Sequence, residues 1–129
     1  MFDKLKKHHI GVIVDNDTIP IIEKKYKKKF HLDKIQGTRV MFVQDEELGI
    51  YKEFIGKEGR AKNISVGFYH FCYSLNNAQD LKEFENFIEQ NRLGHSITKL
   101  EKSGSKECGW IKFFYIKNHG FIEINLIDK

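Results

Sequence analysis

The order strand, helix, strand, strand occurs twice along this sequence, and an internal repeat narrows the choice of folds more than any other feature. Short β-branched and aromatic runs bounded by turn residues predict the strands. These strands are 8–14, 38–43 and 50–55 in the first copy and 67–74, 95–100, 110–116 and 121–127 in the second. Amphipathic spacing predicts one helix in each copy, from Asp17 or Thr18 to Phe30 and from Asn77 to about Leu93. The repeat predicts an α+β protein built from two similar modules, of which the second has one more strand.

Length and composition indicate that both modules belong to one folded domain. The chain has 129 residues, and a single core typically organises about 100 to 150 residues. Hydrophobic residues make up 40% of it, with 11 phenylalanines and 5 tyrosines, which is too much aromatic surface for a disordered chain. We therefore predict one domain over residues 1–129, made of module 8–56 and module 67–127, with the segment 56–65 as a linker between them.

Charge, hydropathy and cysteine usage restrict the partners and the compartment. The net charge is +4, but only three basic residues are arginines, the residue type that binds phosphate through two hydrogen bonds; we therefore expect no nucleic-acid partner. No apolar run approaches the about 20 residues that span a bilayer, and the start of the chain lacks the apolar stretch of a signal peptide. Cys72 and Cys108 fit neither a zinc spacing nor a disulfide framework. A cytoplasmic protein with no membrane contact and buried thiols is expected.

Two histidines and two glutamates occupy equivalent positions in the two copies. His9 lies on the first strand of its module and Glu53 on the last, 44 residues later; His70 and Glu123 repeat this arrangement 53 residues apart. Side chains alternate across a strand, and the apolar neighbours of each residue leave all four on faces that can line one concave surface. The same alternation places His8 on the opposite face. A single histidine on a strand is usually an ordinary core or rim residue, but four equivalent polar residues favour a shared role.

Four short motifs carry a resemblance to a known family. They are His9-Ile10-Gly11-Val12, Glu53-Phe54-Ile55, Tyr69-His70-Phe71 and Gly120-Phe121-Ile122-Glu123-Ile124. In this order and at these intervals they resemble the vicinal oxygen chelate superfamily, also called the glyoxalase and bleomycin-resistance family, from His8 to Leu126. The resemblance implies a glyoxalase-like fold, in which paired β-α-β-β-β modules form an incomplete barrel. Only about 8 residues separate the first helix from the next predicted strand, so we expect the extra strand of the first module to be short or missing.

The resemblance also implies one divalent metal ion. Its ligands would be His9, Glu53, His70 and Glu123. Imidazole and carboxylate together suit zinc, nickel, cobalt, manganese or iron, and four protein ligands leave about two positions of an octahedral shell for a substrate with two adjacent oxygens. The residues do not distinguish among these metals.

Within the superfamily the sequence is most similar to the methylmalonyl-CoA epimerase and small bacterial glyoxalase-like branch, because of its compact length and its His8-His9-Ile10-Gly11 opening. This similarity implies an isomerase that moves a proton next to a carbonyl, on a small substrate such as an acyl thioester. A carboxylate must then act as the base, with Glu123 as the first candidate and Glu53 as the second. The superfamily resemblance and the exposed strand edges of a shortened first module further imply a homodimer.

Three other functions stay open. A glyoxalase (lactoylglutathione lyase)-like enzyme would use the same ligands and the same proton transfer on a hemithioacetal. An extradiol dioxygenase would bind ferrous iron through two histidines and one glutamate, which the presence of Glu53 disfavours. A non-enzymatic binding protein of the bleomycin-resistance type needs no metal ligands, which the complete set of four disfavours. The substrate and the pathway cannot be inferred from the residues.

Overall fold

The computed structural model describes residues 2–128, which contain nine β-strands and two α-helices. The predicted α+β class is confirmed. The chain divides into two compact units: His9–Tyr69 forms one, and the segment up to His8 forms the other together with the chain from His70 onward. Neither helix of residues 2–128 is long and apolar enough to cross a membrane.

The unit His9–Tyr69 contains the elements of the first module, apart from the first three residues of β1. In chain order they are β1 (Lys6–Val14), α1 (Ile19–Tyr26), β2 (His31–Asp33), β3 (Thr38–Asp45) and β4 (Ile50–Gly56). The strand order is β2-β3-β4-β1, with β3 antiparallel to β2 and β4, and β1 parallel to β4. One sheet face packs under α1 through Val14, Ile19, Met41 and Phe54. The opposite face of β1 and β4 is therefore left for His9 and Glu53.

The second unit contains the longer module, apart from the first three residues of β5. Its elements are β5 (Gly67–Leu75), α2 (Ala78–Gln90), β6 (Gly94–Ser96), β7 (Glu101–Lys102), β8 (Trp110–Ile116) and β9 (Gly120–Leu126). The strand order is β5-β9-β8-β6, with β7 also paired to β8 and with β5 parallel to β9. The Asn77 side chain caps α2 by accepting a hydrogen bond from the Asp80 N–H at 3.0 Å. The apolar face of α2 packs on Ile122, Ile124 and Leu126, which turns Glu123 to the other face of the sheet.

Several predicted elements differ from the structure. The second helix ends at Gln90 rather than near Leu93, and β7 was not predicted. The first helix ends at Tyr26 rather than Phe30, because Lys27 adopts a left-handed conformation (φ 52°) and the Glu23 carboxylate accepts a hydrogen bond from the Phe30 N–H at 2.8 Å. The predicted strand 95–100 is only Gly94–Ser96. It stops there because the Thr98 hydroxyl accepts the hydrogen bond from the Phe113 N–H. The short extra strand of the first module is present as the three residues of β2, as expected.

The segment predicted as a linker is packed against the first module. Gly59 begins a short 3₁₀ turn, Gly59–Ala61, and the Arg60 N–H donates to the Gln36 carbonyl at 2.9 Å. Glu58 lies just before this turn. Its two carboxylate oxygens accept hydrogen bonds from the Arg39 guanidinium. These hydrogen bonds lower the pKa of Glu58 below its ordinary value. The segment thus holds a defined conformation beside β3.

We expect Gly59→Ala to destabilise the protein more than Gly49→Ala does. Both glycines have positive φ angles (52° and 69°), but an added Cβ at Gly59 would lie 2.4 Å from two carbonyl oxygens, whereas none lies within 4 Å at Gly49. The left-handed conformation alone costs about 1–2 kcal/mol, and the overlap at Gly59 adds about 1–3 kcal/mol. Urea denaturation measures both variants, and equal losses would show that the turn shifts without cost.

Candidate metal centre

His9 and Glu53 form the first buried pair, on the parallel strands β1 and β4. Gly11 lies directly opposite Glu53 in the register of these strands, and His9 is two residues earlier on the same face. Because Gly11 has no side chain, nothing from this position separates the two functional groups. The His9 Nε2 atom lies 3.2 Å from Glu53 Oε1, and both side chains are buried.

His70 and Glu123 form the second pair, on the parallel strands β5 and β9. Here the residue opposite Glu123 is Cys72, again small and again two residues after the histidine. The His70 Nε2 atom lies 3.3 Å from Glu123 Oε1, and both side chains are buried. The structure thus brings each predicted histidine beside the predicted glutamate of its own module, in the same register and with nearly the same distance.

The spacing and chemistry of the two pairs fit a metal ion. Ligand atoms about 2.1 Å from one ion lie about 3.0 Å apart at octahedral angles and about 3.4 Å apart at tetrahedral angles. The observed separations of 3.2 and 3.3 Å fall inside this range. Imidazole nitrogen and carboxylate oxygen are also donors that first-row divalent metals prefer. Each buried pair could therefore supply two ligand atoms to a metal ion.

Two phenylalanines that were not predicted from the sequence lie beside the pairs. Phe42 on β3 is opposite Glu53, and its ring is perpendicular to the His9 ring with centroids 5.1 Å apart. Phe113 on β8 is opposite Glu123, and its ring lies 5.3 Å from the His70 ring at 82°. The signal that could have found them is their equivalent position in the two hairpins, 11 and 10 residues before the glutamate.

A buried polar network next to Glu123 was also missed. Asn125 lies on the same face of β9 as Glu123, and its amide donates to the Ser74 hydroxyl at 3.0 Å. The side-chain Oδ1 of Asn125 accepts a hydrogen bond from the Gly109 N–H at 2.7 Å. This network ties the loop before β8 to the face that carries His70 and Glu123.

His8 is the neighbouring histidine that strand alternation separates from the pair. It is half-buried, whereas His9 is buried. However, a nitrogen of His8 and the Cys72 sulfur lie within 4.8 Å of one another and also offer donors to a metal. The choice between the two histidines therefore needs a direct test.

We expect His9→Gln to lower the metal content of the purified protein and His8→Gln to leave it unchanged, because only His9 points at the glutamate of its module. Elemental analysis of the two variants, prepared side by side, measures this. Loss of metal from His8→Gln alone would mean that the ligand register of β1 is shifted by one residue, which exchanges the two faces of the strand.

Comparisons with known proteins give the fold. No protein-family model and no curated protein matches the sequence. A solved structure of a hypothetical protein from Bacillus halodurans has a TM-score of 0.68 and 16% identity, covering 98% of this chain and 97% of that one. A methylmalonyl-CoA epimerase in complex with methylmalonyl-CoA has a TM-score of 0.62 and 16% identity, covering 96% and 95%. The methylmalonyl-CoA epimerase of Mycobacterium tuberculosis has a TM-score of 0.63 and 12% identity, covering 98% and 91%.

These likenesses extend over both modules and confirm the predicted glyoxalase-like fold. The resemblance to the vicinal oxygen chelate superfamily, which four short motifs indicated, is thus supported at the level of the fold. At 12–16% identity the likeness carries no activity to this chain.

Proposed function

We propose that His9, Glu53, His70 and Glu123 bind one divalent metal ion, and that the protein is a metal-dependent enzyme that transfers a proton next to a carbonyl. The observation that carries this proposal is the duplicated His–Glu pair: two buried pairs, one in each module, with Nε2–Oε1 separations of 3.2 and 3.3 Å. Zinc, nickel, cobalt, manganese and iron all suit this donor set.

The two glutamates are the groups that can move the proton. A bound divalent ion supplies electrophilic stabilisation for the negative charge that develops on the carbonyl oxygen of a substrate. Glu123 is the proposed base and Glu53 the second candidate, because an ionised carboxylate can accept a proton from a carbon beside the carbonyl. An epimerisation removes a proton from one face of that carbon and returns a proton to the other. One carboxylate from each module would suit these two steps.

The proposed substrate is a small molecule with two adjacent oxygens, specifically an acyl thioester, which makes the protein a methylmalonyl-CoA epimerase-like isomerase. The support is that several solved structures with this fold are methylmalonyl-CoA epimerases.

We propose that modules 8–56 and 67–127 act as one domain, since these structures match 96–100% of the chain. We also propose a cytoplasmic location, since Cys72 and Cys108 are free thiols and free thiols are usual in a reducing compartment.

The experiment has two stages. Protein purified without chelator is first analysed for bound metals, with about one divalent ion per chain expected. The metal-loaded protein is then incubated in deuterium oxide with methylmalonyl-CoA, other acyl thioesters and a hemithioacetal, and deuterium is measured at the carbon beside the carbonyl. Exchange into an acyl thioester supports the epimerase-like function, and exchange into the hemithioacetal alone supports the glyoxalase-like one. Metal binding without exchange into any of them would contradict both.

We further propose that the protein is a homodimer. The support lies at the edge of the first module, where β2 is only three residues long and Leu32 and Ile35 are 54% and 40% exposed. A second copy of the chain could cover this apolar edge, which would otherwise be open to water. Sedimentation equilibrium at micromolar concentration should give about twice the chain mass of 15.2 kDa. A monomer at that concentration would contradict the proposal.

A further inference from the structure

The same aromatic contact occurs beside the histidine in both modules. The Phe42 ring meets the His9 ring at 90° with centroids 5.1 Å apart, and the Phe113 ring meets the His70 ring at 82° and 5.3 Å. Both phenylalanines are buried. In each hairpin the phenylalanine is also directly opposite the glutamate that pairs with the histidine. One aromatic ring thus adjoins both members of each His–Glu pair.

This contact matters because a histidine ring has two orientations of similar shape. Rotation of the imidazole by about 180° about its Cβ–Cγ bond exchanges nitrogen and carbon positions at little cost in volume, and this torsion is broad and roughly two-fold in the absence of neighbours. Only one orientation keeps Nε2 of His70 next to Oε1 of Glu123. In each module a buried phenyl ring lies 5.1 or 5.3 Å from the imidazole, centroid to centroid, so the imidazole does not rotate in open space.

We propose that Phe42 and Phe113 are positioning residues that hold the His9 and His70 imidazoles in the one orientation that directs Nε2 toward the paired glutamate. The importance of this role for metal binding rests on the proposed function. A ligand that is already oriented loses less conformational freedom when the ion binds. Hydrogen-bonding groups that orient metal-binding histidines typically change metal affinity by about 10- to 100-fold when replaced, and we expect an effect of that order from the packed phenyl rings.

Phe114 provides the matched control for Phe113. It is the next residue on β8, so its side chain points to the opposite face, where it packs in the core under α2 and meets the Phe84 ring at 88°. Phe54 serves in the same way for Phe42, since it lies in the core under α1. Replacement of a core phenylalanine by leucine lowers stability, and we expect it to leave the surroundings of the histidines unchanged.

The test compares Phe113→Leu with Phe114→Leu, and Phe42→Leu with Phe54→Leu. Long-range ¹H–¹⁵N spectra of the metal-free proteins report the tautomer and orientation of each imidazole. Cobalt(II) titrations, followed by absorbance, report metal affinity. In Phe113→Leu we expect His70 nitrogen signals that are shifted or broadened by exchange and a cobalt affinity about 10- to 100-fold lower. In Phe114→Leu we expect a lower melting temperature with both readouts as in the wild type. We expect the same contrast at His9. Phe42→Leu should alter the His9 nitrogen signals and lower the cobalt affinity, whereas Phe54→Leu should only lower the melting temperature.

The outcomes separate this inference from the proposed function. Folded Phe113→Leu and Phe42→Leu proteins with wild-type imidazole signals and wild-type cobalt affinity would overturn the inference. Equal effects of Phe114→Leu and Phe113→Leu would overturn it too, because the role would then be general packing. If a leucine variant does not fold, the methionine variant at the same position replaces it, since methionine fills irregular space well. If the wild type binds no cobalt, the proposed function fails, and the imidazole spectra still decide whether the phenylalanines orient the histidines.

Discussion

His70→Ala is expected to lose its metal almost completely. The substitution removes one of four proposed protein ligands and leaves Glu123, the other member of the pair, without the imidazole that lies 3.3 Å away. Replacement of a group that only orients a ligand typically lowers metal affinity by about 10- to 100-fold, so loss of the ligand itself should lower it by more than about 100-fold. Elemental analysis of protein purified without chelator, and competition with a chelator of known affinity, measure this loss.

The control for this variant is His119→Ala. His119 is an exposed histidine in the turn between β8 and β9, where its Nδ1 lies 3.1 Å from the Lys117 carbonyl oxygen. Its removal should leave the metal content unchanged. Circular dichroism establishes that both variants are folded. Unchanged metal content in folded His70→Ala would exclude His70 as a ligand, and a wild type without metal would contradict the proposed metal site.

Much of the fold could be predicted because strands and turns have local signals. Strand β8 has the predicted limits Trp110–Ile116, since apolar residues alternate there and a turn follows. The end of α1 could not be predicted in this way. Phe30 continues the apolar spacing of the helix, but Lys27 turns left-handed and the Glu23 side chain binds the Phe30 N–H. That hydrogen bond competes with continuation of the helix but does not alter the spacing of the apolar residues. The spacing therefore does not reveal where the helix ends.

The candidate site likewise has residues that could be predicted from the sequence and residues that could not. Strand alternation predicted that His9 and Glu53 could share a face, because that inference needs only the period of two within each strand. Phe42 and Phe113 were missed because their contact with the histidines depends on the register among three strands, which alternation does not determine. The hydrogen bond between Asn125 and Gly109 was missed for a similar reason. It joins a strand to a loop 16 residues away, and an asparagine near a strand end has many ordinary roles.

Glu123→Gln is expected to separate the role of a ligand from that of a base. An amide oxygen can still coordinate a metal ion, but an amide cannot accept a proton at neutral pH. Removal of a general base typically lowers a rate by about 100- to 10,000-fold. A partly emptied metal site, in contrast, lowers activity only in proportion to the empty fraction. If Glu123 is both ligand and base, activity should fall much further than metal content does.

The measurement is deuterium incorporation beside the carbonyl of a substrate that the wild type turns over, with metal supplied in excess of what saturates each protein. Glu53→Gln is the matched variant, since Glu53 holds the equivalent place beside His9 at 3.2 Å. Exchange that is lost in Glu123→Gln and retained in part in Glu53→Gln would identify Glu123 as the base that removes the proton. Exchange at the wild-type rate in Glu123→Gln would assign the base to Glu53 or another group. Equal losses in both variants would indicate that the two carboxylates act in successive steps, because an epimerisation needs a proton acceptor on one face of the carbon and a proton donor on the other.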